Sequence, residues 1–127
     1  MHDMKEYLDQ YAKLLPLNKS ISLTEAERRA GEFLSAMATI TDWRHTFNEE
    51  KIKFTSIQAA VYAEELSKGT AKTITENKIT VEASKEYAAA REELERIEND
   101  LSYLKAYFEI FSQAHIYYRQ MAKGDNV

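Results

Sequence analysis

The stretch from Ser84 to Ala122, SKEYAAAREELERIENDLSYLKAYFEIFSQAHIYYRQMA, decides the fold. Tyr87, Ala90, Leu94, Ile97, Leu101, Leu104, Phe108, Phe111, His115 and Tyr118 follow one another at alternating spacings of three and four. That is the apolar seam of a helix packed along a partner, and neither Gly nor Pro interrupts it. The helix changes character along its length. From Glu86 to Asp100 six acids and two bases surround one narrow stripe, the pattern of a solvated acidic surface. From Ser102 onward a second stripe appears, formed by Tyr103, Tyr107, Ile110, Ala114, Tyr117 and Met121. One antiparallel partner covers one stripe, so the second calls for a third helix or another subunit. Self-association is the leading expectation, with Tyr103, Tyr107, Ile110, Tyr117 and Met121 as the oligomer interface.

The partner seam lies upstream. Between Thr24 and Ser67 there is no Pro and one Gly, Gly31, which costs about 1 kcal/mol inside a helix. Phe33, Ala36, Ile40, Trp43, Phe47, Glu50, Phe54, Ile57 and Val61 repeat the three-four spacing, and only Glu50 is out of character. Two overlapping capping boxes open this helix, Ser22 with Glu25 and Thr24 with Glu27, each able to satisfy first-turn amides. Unbroken, it runs about 65 Å at 1.5 Å per residue. Gly69 stands where a C-terminal cap belongs. Further upstream, Met4, Tyr7, Leu8, Tyr11, Leu14 and Leu15 recur at helical spacing and Pro16 ends the run.

The expected fold is therefore all-α, a single domain built on a long antiparallel helical hairpin. A short N-terminal helix spans 3–15, a linker 16–23, a long helix 24–67, a turn region 68–84 and a second long helix 84–122. The turn region is rich in Thr and β-branched residues and leaves two readings open. One is a short helix near 74–82, started by a third capping box at Thr73 and Glu76; the other is two short strands, Thr-Ile-Thr and Ile-Thr-Val.

Composition narrows the function classes. The 127 residues hold 17 Lys plus Arg against 21 Asp plus Glu, a net charge of -4, with 44% apolar residues and no Cys. Thiolate metal sites, disulfide scaffolds and cysteine nucleophiles are excluded. No apolar run is long enough to span a bilayer, no signal peptide opens the chain, and a cytoplasmic location is expected. Gly-rich phosphate loops, a dinucleotide fingerprint and a nucleophile elbow are missing. Asp42-x-x-His45 is a single copy of a motif that di-iron bundles need twice, and reads as a surface pair beside Trp43. Adjacent acids such as Glu49-Glu50 and Glu92-Glu93 point in different directions on a helix. No enzyme activity, cofactor or metal is expected.

Charge is placed unevenly. Residues 68–85 carry +2, from Lys68, Lys72, Lys78 and Lys85 against Glu76 and Glu82, whereas residues 86–101 carry -4. Lysines near a turn suit phosphates, because each neutralised phosphate releases counterions. Arg44, His45, Lys51 and Lys53 form a second basic cluster, diluted by neighbouring acids. The aromatic residues fall mostly on seam positions, where core packing outweighs base stacking, and His115 reads as a hydrogen-bonded core residue.

The second half has a further feature. A long helix ending in Ser67-Lys68-Gly69 is followed by Thr75-Glu-Asn-Lys-Ile-Thr-Val-Glu-Ala-Ser84, then Glu86-Tyr-Ala-Ala-Ala-Arg-Glu-Glu-Leu94, Leu101-Ser-Tyr-Leu-Lys-Ala-Tyr107 and Tyr117-Tyr118-Arg119. With Trp43 in the first long helix, this arrangement over residues 25–122 resembles the UvsY-type recombination mediators of tailed phages. The resemblance implies a non-enzymatic homo-oligomer in the cytoplasm of an infected bacterial host. It would bind single-stranded DNA and help load a RecA-like recombinase onto strands covered by a single-strand DNA-binding protein. A Lys-x-Arg pair that the family carries before the turn glycine is replaced here by Val61 and Ala63. DNA contact then falls to Lys51, Lys53, Lys68, Lys72 and Lys78, and the acidic surface of Glu92, Glu93, Glu95, Glu98 and Asp100 is left for a protein partner. The other expectation is a helical interaction module without nucleic acid, such as a virion assembly chaperone or an inhibitor of a host defence protein, acting through that acidic face.

Overall fold

The computed structural model describes residues 2–16, 20–68 and 85–124, and these residues form three helices: α1 (His2–Ala12), α2 (Leu23–Lys68) and α3 (Lys85–Ala122). No strand occurs among the described residues, and α2 and α3 pack against each other as the two arms of a hairpin. The all-α reading of the sequence holds. Both readings of the turn region, short helix or two strands, fall at 69–84, outside the described residues. The chain divides into two compact units: Met1–Arg44 with Tyr103–Val127, and His45–Ser102. Both long helices contribute to each.

The first is a three-helix unit. Its core is Met4 and Leu8 from α1, Ala26, Ala30, Phe33, Ala36 and Ile40 from α2, and Leu104, Phe111, Ala114 and Tyr118 from α3, all buried. Phe33 packs against Phe111 at 5.2 Å and lies parallel to Tyr118 at 6.0 Å, while Tyr11 reaches both phenylalanines. Full burial of such a side chain contributes about 1.5–3 kcal/mol, so these rings carry much of this unit's stability. Tyr7 meets the edge of Trp43 at 5.2 Å and donates a hydrogen bond to Thr39 Oγ1.

The helix ends follow from local chemistry. Ser22 Oγ accepts the Glu25 amide at 3.0 Å, so α2 starts at Leu23 and only the first of the two overlapping boxes acts at the terminus. The Glu25 carboxylate is engaged by Arg28 and Arg29. Helix α1 stops at Ala12, three residues before the expected end. The Leu14 and Leu15 amides bond to Tyr11 and Ala12 carbonyls in a tightened final turn ahead of Pro16. Gly124, with φ +81°, closes α3 through its amide to the Met121 carbonyl.

Among the described residues the second unit comprises two helical arms, and it is packed differently. From α3 it buries Ala90, Leu94, Ile97 and Asp100, but among residues 45–67 of α2 no side chain reaches full burial. The α2 seam also shifts here. Ile57, expected on the seam, is 39% exposed, whereas Lys51, Phe54, Gln58 and Tyr62 are half-buried. A seven-residue repeat drifts by about 20° per heptad on an unsupercoiled helix, which carries the inward line off Ile57 and onto Gln58, while Glu50 and Lys51 are both half-buried. Tyr62 and Tyr87, 5.8 Å apart, place the ends of the two arms side by side.

Candidate functional site

Two surfaces of the hairpin unit concern function, the basic end and the acidic flank. Of the lysines expected to contact DNA, Lys51 is half-buried, with its Nζ 3.8 Å from Glu98, and Lys53 is exposed. The side chain of Lys68 and the whole of Lys72 and Lys78 lie outside the described residues. Tyr62 and Tyr87 nevertheless show that the segment carrying these lysines joins two neighbouring helix ends, Lys68 and Lys85.

The acidic residues separate into two groups. Glu92, Glu95 and Glu98 are exposed along α3. Glu93 is half-buried and accepts two hydrogen bonds from Arg96, at 2.9 and 3.2 Å. Asp100 is 3% exposed and accepts one from Arg96 Nη1 at 3.3 Å. Asp100 therefore does not belong to the surface offered to a partner. It lies three residues after Ile97 and four before Leu104, both buried, and so shares their face of α3. Arg96 is held further toward its charged form by Glu93 first, with Asp100 and Glu50 adding to the field. A polar layer of Glu50, Glu93, Arg96 and Asp100 thus interrupts the apolar contact of the hairpin arms.

The stripe expected to form an oligomer interface is met in part within the chain. Tyr103 and Tyr107 are half-buried and 4.9 Å apart, and Tyr107 packs edge-on against Phe111, which Tyr11 of α1 also touches. Burial pushes the Tyr103 hydroxyl up to about 12, with Tyr107 and Asp9 adding to the shift. Leu15 and Pro16 lie with Ile110, Gln113, Ala114 and Tyr117 around a common open cavity. α1 and the residues after it cover this stripe only in part, leaving Ile110 45% exposed and Tyr103, Tyr107, Tyr117 and Met121 half-buried.

Beside these lies a knot that the sequence reading missed. Tyr118 donates to the Leu14 carbonyl at 2.7 Å and accepts from Arg29 at 3.0 Å, and Arg29 in turn pairs with Glu25 at 2.9 Å. The Arg29 guanidinium also stands over the Tyr118 ring, 5.6 Å from its centroid. Only the Glu25–Arg29 spacing of four signalled any of this. A cavity of about 120 Å³ beside the knot is lined by Lys13, Leu15, Ile21, Arg29, Tyr117, Tyr118 and Met121, and Arg29 is committed to its neighbours there. His115 donates through Nδ1 to the Ala30 carbonyl at 2.8 Å, a half-buried structural bond that fixes the tautomer. His45 pairs with Glu49 at 2.9 Å on the surface, turned to its own helix.

Among the described residues no three His, Asp or Glu side chains converge as a metal site. No helix there is long and apolar enough to cross a membrane. No family model, curated protein or solved structure matches the chain.

Proposed function

We propose that this protein is a non-enzymatic recombination mediator of the UvsY type, which binds single-stranded DNA and helps load a RecA-like recombinase onto strands covered by a single-strand DNA-binding protein. The observation that carries this reading is the placement of charge along the hairpin. The +2 stretch of residues 68–85 joins two adjacent helix ends, while the exposed acids Glu92, Glu95 and Glu98 lie back along α3. The four lysines of that stretch, Lys68, Lys72, Lys78 and Lys85, precede the acidic run of α3 in the sequence, and Lys53 adds an exposed cation on α2. Each such contact is weak, and an oligomer presenting several copies would gain strand affinity by avidity. Fluorescence anisotropy with a labelled single strand of about 40 nucleotides tests this, run at low and moderate salt beside light scattering. Sequence-independent binding by an oligomer, weakening with a log–log salt slope of about -2 to -3 for four phosphate contacts, is the expected result. No binding at low salt overturns it.

A specific observation favours a second reading, a protein-interaction module such as an assembly chaperone or an inhibitor of a host defence protein. Its hairpin unit carries the whole net charge of the chain, twelve acids against eight bases, whereas the three-helix unit holds nine of each. Charge reversal at Glu92, Glu95 and Glu98 separates the roles. Loss of recombinase binding with strand binding retained supports the mediator, and unchanged recombinase binding removes the acidic face from that role.

A further inference from the structure

In the three-helix unit, α1 covers one side of the α2–α3 pair. Successive residues of a helix are turned by about 100°, so Thr39 and Trp43, which meet Tyr7 of α1, fall on one flank of the buried Phe33 and Ile40. Leu34, Met37 and Thr41 fall on the other. On α3, Tyr103, Tyr107 and Tyr117 flank the buried Phe111 on the α1 side, and Phe108, Ser112 and Ile116 lie on the side away from it. Two contacts tie the far flanks together. His115 donates to the Ala30 carbonyl at 2.8 Å, and the Arg44 guanidinium stands 5.7 Å from the centre of the Phe108 ring. These contacts bring Leu34 and Ile116 within about one turn of the same level. Both are open to solvent, at 54% and 51%, beside the half-buried Met37 and Phe108. The flank is built wholly of described residues, 27–44 of α2 and 105–123 of α3. Exposed apolar side chains rimmed by charge mark a surface that another chain covers.

Charge along this flank selects the occupant. Arg44 and Lys105 stand toward one end of the apolar patch and Arg119 and Lys123 toward the other, with Glu27 near the second pair and Glu109 on the outer rim. Four of the unit's nine bases and two of its nine acids thus lie here, so a neutral unit has one basic side. The opposite flank shows what the α2–α3 pair accepts. Helix α1 carries three acids and one base, and it seats Met4 and Leu8 in the core. Nucleic acid suits the far flank less well, because two exposed aliphatic side chains separate the cations and Arg44 already stands over Phe108. A second copy suits it no better. Face to face, cations would meet cations, and the α1 helix of that copy has its apolar side committed to its own unit.

We propose that this flank of the three-helix unit docks an acidic amphipathic helix of a partner protein, which lies along α2 and α3 opposite α1. Its apolar stripe covers Leu34, Met37 and Ile116. Its Asp and Glu meet Arg44 and Lys105 at one end and Arg119 and Lys123 at the other, with Lys105 and Arg119 about 21 Å apart along α3. The inference goes beyond the mediator reading, since it uses neither the lysines of 68–85 nor the acids of 86–101.

The test uses the full chain and a synthetic helix of about five turns, roughly 18 residues, with Leu on one face and Glu on its flanks. A Leu/Lys version and a scrambled Leu/Glu peptide of the same composition serve as controls, and amide chemical shifts are followed in each titration. The Leu/Glu helix is expected to shift signals from residues 30–44 and 105–123 and to bind at least about tenfold tighter than either control. Replacing Lys105, Arg119 and Lys123 with Glu, or Leu34 and Ile116 with Ser, should each weaken it about tenfold with helicity by circular dichroism unchanged. The Gln triple variant and the Ala double variant at the same positions serve where the first set loses helicity. Equal binding of the Leu/Lys helix, binding that survives these substitutions, or shifts confined to residues 45–67 and 85–102 overturns the proposal. So does a single strand of about 40 nucleotides that shifts this flank when the Leu/Glu helix does not. Concentration-dependent self-association that Leu34→Ser abolishes, while the peptide fails to bind, overturns it in favour of a second copy. Strand binding by the wild type is recorded on the same samples, so the mediator reading stands or falls on a separate readout.

Discussion

Tyr118 joins three segments of the three-helix unit through one side chain. Its ring lies against Phe33, its hydroxyl donates to the Leu14 carbonyl just past α1, and Arg29 of α2 donates back to it. The early end of α1 leaves that carbonyl without a helical partner, and Tyr118 supplies one. Tyr118→Phe keeps the ring and removes both bonds, and should cost about 1–2 kcal/mol in chemical denaturation. The neighbouring Glu25 carboxylate is held down to about 2 by hydrogen bonds from Arg28 and Arg29. Because its folded value lies below the unfolded one, the stability it adds is present above the ordinary carboxylate range and lost as pH falls through about 2. Wild type and Glu25→Gln, compared by urea melts, should therefore differ at neutral pH and converge as pH drops from about 4.5 toward 2. Asp100 makes the opposite case. Asp100→Leu should be neutral or stabilising, while Arg96→Ala, which leaves the buried carboxylate alone, should cost about 1–3 kcal/mol. The i,i+4 pairs Glu25–Arg29 and Arg96–Asp100 are legible as spacings in the chain. The reach of Arg29 to Tyr118 is not, because it links positions 89 residues apart.

At the scale of the elements, α2 is read correctly as one unbroken helix and incorrectly in its second half as to face. Heptad counting keeps Ile57 on the seam because a repeat of seven looks regular in a sequence, but the helix turns 3.6 residues at a time. Gln58 and Lys51 come inward with no apolar signal to announce them. Ile57→Ala should then cost under about 1 kcal/mol, less than Phe54→Ala, and Gln58→Leu should gain about 0.5–1 kcal/mol, all read from thermal melts. The absence of any buried side chain between 45 and 67 also sets local stability. Amides of residues 45–67 should exchange with solvent faster than those of 26–43 in the same helix, a gradient that hydrogen exchange measures directly. The second stripe of α3 was legible as a surface needing cover. Which element covers it was not, since α1 and a second subunit satisfy the same pattern equally well on paper.

For the whole molecule, charge carries the functional argument. The sequence alone shows lysines clustered at 68–85 and acids at 86–101; the fold adds that the two helix ends bearing the basic stretch are neighbours and that Asp100 has left the acidic face. It also separates a neutral, aromatic-cored unit from a hairpin holding all of the net charge, a division that no single composition figure reveals. The measurement that bears most directly on the mediator reading is single-strand binding by two variants compared with wild type at low salt. One replaces Lys68, Lys72, Lys78 and Lys85 with Ala, and the other replaces Lys51 and Lys53. The first should lose at least about tenfold in affinity and most of the salt dependence, the second less, because Lys51 already sits beside Glu98. Wild-type binding that survives loss of the four lysines unchanged, or no binding by wild type at all, would contradict the assignment of this protein as a strand-binding mediator.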